Sequence, residues 1–330
     1  MIDSQALGKD EIIRLMQKRL TLMPDMPVPF GDDVFGAPLA GGEVAVLKPS
    51  MLVGSTDIPA EMSLFAAARK AIVMGVNDFA SKGVLPSAAS ATLGLPGRVR
   101  IKESVLEIAD GLNAGAREYG CYVIGGDSGE TADLVICVFL FGVARQGSLM
   151  LRRGTRAGDV LAVTGLFGKS AAGLRVLLGD AKASKRIRSS LVDSVLMPKA
   201  KLREGLALRG RDYVSASIDG SEGLARCLHE LSRINEIGFL IDKVPAAVEA
   251  QEFAAENSLD PVDLALYGEE EYELVLTVNP LKWTEAKAMV QAVGGCLIPI
   301  GHATYEKQII YEVPGDKRVV ENRRHRNFNR

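Results

Sequence analysis

Apolar residues recur at helical spacing over 62–82, through Phe65, Ala68, Ile72, Met74 and Phe79, and the spacing predicts a largely buried helix. A shorter amphipathic pattern covers 9–20. The stretch 21–30, "TLMPDMPVPF", holds three prolines and reads as extended or turn-like. Strands are expected at 43–48, 51–55, 87–95, 121–124 and 133–143, with a helix at 101–119. The segment "DLVICVFLFGVA" is apolar throughout and rich in β-branched and aromatic residues, which predicts a central strand. "RRGTRAGDVLAVTG" (152–165) is a basic, glycine-bearing connector, so a boundary is expected near 147–152, dividing the chain into 1–150 and 151–330. Beyond it, helices at 170–178, 188–208, 222–235, 245–256 and 280–292 alternate with strands at 213–218, 237–241, 271–278 and 295–300. The expected class is α/β (α+β) in two domains.

Composition narrows the function more than the fold. The 330 residues suit about two domains and are 47% hydrophobic, enough for a core without covalent staples. A net charge of −2 supplies no basic field, so neither nucleic acid nor a membrane surface is an expected partner. The one basic cluster, "ENRRHRNFNR" at 321–330, reads as a solvated tail. The four cysteines form no C-x-x-C pair, which argues against zinc. The polar start is unlike a signal peptide, and no apolar run reaches about 18 residues, so a cytoplasmic location is expected.

"GLFGKSAAG" (165–173) contains G-K-S, but Val163 stands where a P-loop requires glycine. It reads as a turn opening a helix, whose N-terminus can still receive an anion. Carboxylates carry more information. Asp32, Asp33, Asp57, Asp78 and Asp127 end apolar runs beside small or polar residues. Asp219 and Glu222 form a second group, and Glu269, Glu270, Glu271 and Glu273 a third. Any one alone reads as a helix cap or turn residue. Several converging without a cation would repel and raise one another's pKa values. Mg²⁺ relieves that, takes hard oxygen ligands and is typically shared with nucleotide phosphates. With no histidine or cysteine among these motifs, phosphoryl chemistry is expected rather than zinc hydrolysis.

The ordered set "GDD" (31–33), "STD" (55–57), "NDFASKG" (77–83), "GGDSGE" (125–130), "RRGTRAGDVLAVTG" (152–165), "SIDGSEGL" (217–224) and "GEEEYELVLTV" (268–278) resembles the thiamine-monophosphate kinases. These belong to the superfamily of aminoimidazole ribonucleotide synthetase and selenophosphate synthetase. The resemblance implies an N-terminal domain whose sheet pairs with its twin in a homodimer, and a C-terminal α/β domain that completes the site. It implies a cleft for ATP with Mg²⁺ and in-line transfer to thiamine monophosphate. Carried over by motif, the metal ligands are Asp33, Ser55, Thr56, Asp57, Asp78, Asp127, Asp219 and Glu222. Asp57, Asp78, Asp127 and Arg152 would be catalytic. Gly126, Asp127, Arg152 and Ser221 would meet the nucleotide, and Glu270 the acceptor.

This chain departs from the family pattern on the acceptor side. The segment after "STD" is short and lacks a histidine. Glu222 and Glu271 replace aspartates, Glu269 replaces a glycine, and the position of a C-terminal aromatic falls near His325. Two other readings keep the fold: an ATP-dependent enzyme with another small acceptor, and a non-catalytic nucleotide-binding regulator.

Overall fold

The structure is a computed structural model that describes residues 9–210 and 212–323, so His325 lies outside the described residues. The first half contains α1 (Lys9–Gln17), β1 (Phe35–Pro38), β2 (Glu43–Val53), the single turn α2 (Gly54–Asp57), α3 (Leu64–Lys82), β3 (Pro86–Leu95), α4 (Lys102–Glu118), β4 (Tyr122–Glu130) and β5 (Val135–Arg145). Its sheet runs β1-β2-β5-β3-β4, with β5 in the centre as its apolar run predicts. The β3–β4 pair is parallel, with α4 as the crossover, and the other pairs are antiparallel.

The second half contains β6 (Val160–Val163), α5 (Lys169–Leu177), α6 (Lys185–Leu196), α7 (Leu202–Leu208), β7 (Val214–Asp219), α8 (Leu224–Asn235), β8 (Gly238–Ile241), α9 (Val248–Glu256), α10 (Pro261–Tyr267), β9 (Leu274–Val278), α11 (Trp283–Ala292), β10 (Ile298–Thr304), β11 (Ile309–Val313) and β12 (Asp316–Val319). Its seven-stranded sheet runs β12-β11-β8-β10-β6-β9-β7.

Several expectations shift for physical reasons. The strands expected at 43–48 and 51–55 are one strand with Pro49 inside it. β1 covers only Val44–Leu47, leaving β2 an open side at Pro49, where a missing N–H is tolerated. The helix expected at 188–208 is two, α6 and α7, because Pro198 interrupts it. The strand expected to end at 124 continues through "GGDSGE" as β4. Gly126 there faces the Ala91 carbonyl so closely that any Cβ would collide with it. Backbone approach to β3 therefore already demands glycine at 126, whatever a ligand requires.

α3 is the axis of the molecule. Ser63 caps it by accepting from Ala66 N, and Gly83, at φ 68°, ends it in the left-handed conformation. The helix packs on β2 and β5 of its own sheet and also on α7, β7 and β9 of the second half. Buried nearly all round, it carries Arg69, Lys70, Asn77, Asp78, Ser81 and Lys82 into the interior.

Candidate functional site

The last turns of α3 meet β2, β7 and the loop at 31–33, and the polar residues of all four converge there. Asp33 is buried. Its Oδ2 accepts from Ser81 Oγ at 2.8 Å and from Asp219 N at 3.2 Å. Its Oδ1 takes the Arg152 guanidinium, which also donates to the Gly31 carbonyl at 2.9 Å. Arg152 N donates to Asp32 Oδ2 at 3.1 Å. The fully buried Lys82 lies with Nζ 2.7 Å from Asp32 Oδ1 and 2.8 Å from Asp33 Oδ2, and donates to the Ser217 carbonyl at 2.7 Å. Lys48 Nζ lies 3.0 Å from Asp78 Oδ2 and donates to the Asp33 carbonyl at 2.8 Å. Asn77 and Ser221 both donate to the Asp219 carboxylate, and Asn77 Oδ1 accepts from Lys201 N at 2.9 Å.

Crowding sets the protonation of this cluster. Burial raises the Asp33 carboxyl, but Arg152 and Lys82 outweigh it and hold the group well below the usual carboxylate range. Burial lifts Asp78, and the charges of Asp219 and Asp33 add to it against the pull of Lys48. Burial and Asp33 push Asp219 up to about 6. Lys48 is raised by Asp78 and Asp33 in spite of its burial, and so stays an ammonium.

The structure thus gathers Asp33, Asp78, Asp219, Arg152 and Ser221. Glu270 adjoins them: its N donates to the Ser221 carbonyl at 2.7 Å. Its carboxylate lies 2.7 Å from Nζ of Lys70, a side chain only 1% exposed. The remaining sequence candidates sit differently. Asp57 Oδ2 accepts from Val53 N at 2.7 Å, closing the turn after β2. Ser55 and Thr56 are exposed, and Ser55 N donates to Asp133 Oδ2 at 2.9 Å. Gly126 and Asp127 lie on β4, exposed along its whole length, where Asp127 Oδ1 accepts from Ser128 N at 2.8 Å. Glu222 pairs with Arg226 at 2.8 Å.

Lys48, Lys82, Asn77 and Tyr272 escaped the sequence reading. Burial raises the Tyr272 phenol, and the charges of Glu270, Asp219, Asp78 and Asp57 add to it. A signal for Lys48 was present: with Val46 and Ser50 it occupies the inward positions of an alternating strand. Among the described residues, no group of three or more histidine, cysteine, aspartate or glutamate side chains is arranged to hold a metal ion. At Asp33 and Asp78, ammonium and guanidinium groups stand where a shared ion would bind. The buried cluster as built does not fit Mg²⁺.

The anion receiver expected at "GLFGKS" is already filled from within. Gly168 N and Ser170 N, at the start of α5, donate to Glu271 Oε1 at 2.7 and 3.1 Å. Burial pushes the Glu271 carboxyl from its ordinary 4.5 to about 8, and the neighbouring Glu273 adds to the rise. The folded chain keeps that proton to higher pH than the unfolded chain. Its stabilising share is therefore complete below the ordinary value and is lost as pH climbs towards about 8. Glu271→Gln should remain neutral while still accepting both N–H groups. Calorimetric melting between about pH 5 and pH 8 should then fall less steeply in the variant than in the parent. Parallel curves would disprove the assignment.

Comparison with known proteins supplies the family. Residues 31–144 match the family model "AIR synthase related protein, N-terminal domain", and 156–313 match "AIR synthase related protein, C-terminal domain". The two α/β halves that meet at the buried acidic cluster are thus those of an AIR-synthase-related protein. The thiamine-monophosphate kinase of Nitrosopumilus maritimus is 31% identical over 306 residues, 93% of this chain and 94% of that protein. The thiamine-monophosphate kinase of Pyrococcus horikoshii is 35% identical over 235 residues, 71% of this chain and 72% of that one. The chain belongs to the thiamine-monophosphate kinase family within the AIR-synthase-related proteins. A structure solved as AaThiL complexed with AMPPCP and TMP superposes with a TM-score of 0.81 at 24% identity, covering 95% of this chain and 96% of that one, and so shares the fold.

Proposed function

We propose that the chain is an ATP-dependent kinase that phosphorylates thiamine monophosphate to thiamine diphosphate. The observation that carries this is the near full-length likeness to the Nitrosopumilus maritimus kinase, at 31% identity. The ligands of the AaThiL complex, AMPPCP and TMP, are the pair to test. A phosphate acceptor is already anionic at neutral pH, so it needs no strong general base. The reaction asks chiefly for positioning and for relief of phosphate–phosphate repulsion. Arg152, rigidly placed by Asp33 and Gly31, is the cation we assign to the nucleotide phosphates. Ser221 and Gly126 are assigned to the nucleotide side, and Glu270, held by Lys70, to the acceptor. We assign 1–150 to nucleotide binding and dimerisation, and 151–330 to completing the site.

Mg²⁺ enters this reading on the ATP phosphates, with waters completing its shell. Asp57 and Asp127, each hydrogen-bonded through one oxygen, are the carboxylates we assign to it. When bound it would neutralise phosphate charge. The test is purified protein with MgATP and thiamine monophosphate. Thiamine diphosphate should form, and ATP consumption should require the acceptor. No diphosphate, with ATP untouched, would remove the reading.

A homodimer is part of the same reading, and exposed apolar surface supports it. The five-stranded sheet turns Met51, Phe139, Phe141 and Val143 outward, and β4 at its edge exposes Tyr122 by 59% and Ile124 by 74%. A bare apolar face beside an open strand edge favours a second copy. Phe141→Lys should shift the mass by light scattering from dimer to monomer. An unchanged mass would refute that interface. Among the described residues no helix is long and apolar enough to cross a membrane, and we assign the enzyme to the cytoplasm.

A further inference from the structure

We infer that Lys48 and Lys82 take the place of protein-bound divalent cations at the buried Asp32–Asp33–Asp78–Asp219 cluster. This goes beyond the kinase reading and holds whichever acceptor is used. Charge is the first argument. Four carboxylates share one buried region, and three fixed cations, Lys48, Lys82 and Arg152, are placed among them. These cations offset part of the repulsion: Arg152 and Lys82 hold Asp33 low, while Asp78 and Asp219 stay raised.

Geometry is the second argument. An ammonium has three donors. Those of Lys82 are matched by Asp32 Oδ1, Asp33 Oδ2 and the Ser217 carbonyl, at 2.7, 2.8 and 2.7 Å. Lys48 Nζ bridges the Asp33 carbonyl and Asp78 Oδ2, joining the loop at 31–33 to α3. These are the roles of a bridging metal: several oxygens from separate segments around one positive centre. Mg²⁺ would need near-octahedral oxygens at about 2.0–2.1 Å and room for its waters. The Lys82 stem also rises from a position that cannot swing into solvent. Lys82 is fully buried in α3, and Lys48 is on the inward face of β2. An ion that displaced the Lys82 ammonium would strand a buried, unpaired charge, at a cost of several kcal/mol.

Direct metal binding by the full-length, nucleotide-free chain tests this, with Mn²⁺ as the probe, read by electron paramagnetic resonance. It does not use catalysis, so failure of the kinase assay and failure of this inference are separable. Asp78→Asn should leave Mn²⁺ binding unchanged, because Asp78 serves Lys48 rather than a metal. Lys48→Ser should open the site and tighten Mn²⁺ binding by at least about tenfold. Adding Asp78→Asn to Lys48→Ser should abolish that gain. Mn²⁺ binding lost on Asp78→Asn alone would overturn the inference, as would a folded Lys48→Ser protein with no gain. If Lys48→Ser does not fold, the Asp78→Asn measurement decides alone.

Discussion

Lys82→Met should lower the calorimetric melting temperature by about 5 °C, the largest loss expected from any single change at the cluster. Methionine keeps most of the stem but removes the ammonium that binds Asp32, Asp33 and the Ser217 carbonyl. Two buried carboxylates then have only Arg152 as a cation, and the Ser217 carbonyl loses the Lys82 donor. Breaking a buried ion pair by deleting one partner costs about 3–5 kcal/mol. In a chain of 330 residues each kcal/mol moves the melting point by about 1.5 °C. A change below about 2 °C would mean that Asp32 and Asp33 are satisfied without Lys82.

Arg152→Lys should spare the fold but lower kcat/KM for phosphorylation about 100-fold, equivalent to about 2.7 kcal/mol of transition-state stabilisation. Lysine keeps the charge. It cannot present a planar fork to the Asp33 carboxylate while also donating to the Gly31 carbonyl, as the guanidinium does. Steady-state kinetics at saturating thiamine monophosphate, together with a thermal melt, separate the possibilities. Loss of activity at constant melting temperature assigns Arg152 to the reacting phosphates. Loss of stability with activity within about threefold of the parent would make it a strut between the halves.

How much of this was legible in the sequence depends on the distance over which each feature is determined. β5 and α3 could be read because their patterns are long and consistent: an unbroken apolar run for one, helical spacing over many turns for the other. The short strands β1, β11 and β12 and the helix α10 went unread, being four to seven residues long. Pro49 looked like a break because nothing local shows that β1 covers β2 only as far as Leu47. At the site, the aspartate motifs marked Asp33, Asp78 and Asp219, which the fold gathers. The same motif logic named Ser55, Thr56 and Glu222, which the fold leaves near the surface. Motif spelling does not encode convergence. The lysines were passed over for the opposite reason. Lysine is mostly a surface residue, and only the partners brought by tertiary structure show why Lys48 and Lys82 point inward.

α3 is encoded in the first half of the chain, yet its polar end is completed by residues from the second. Asp219, Ser217 and Lys201 are all synthesised more than a hundred positions after Lys82. While translation proceeds, an emerging first half holds a helix that can close on Asp32, Asp33 and Lys48 but still lacks Asp219 beside Asn77, the Ser217 carbonyl beside Lys82 and Glu270 beside Lys70. Splitting the gene between the halves would therefore leave the leading fragment with the Lys70 ammonium parted from Glu270. Co-expression of the two pieces, rather than refolding of either alone, is the route by which a divided version would recover its shape.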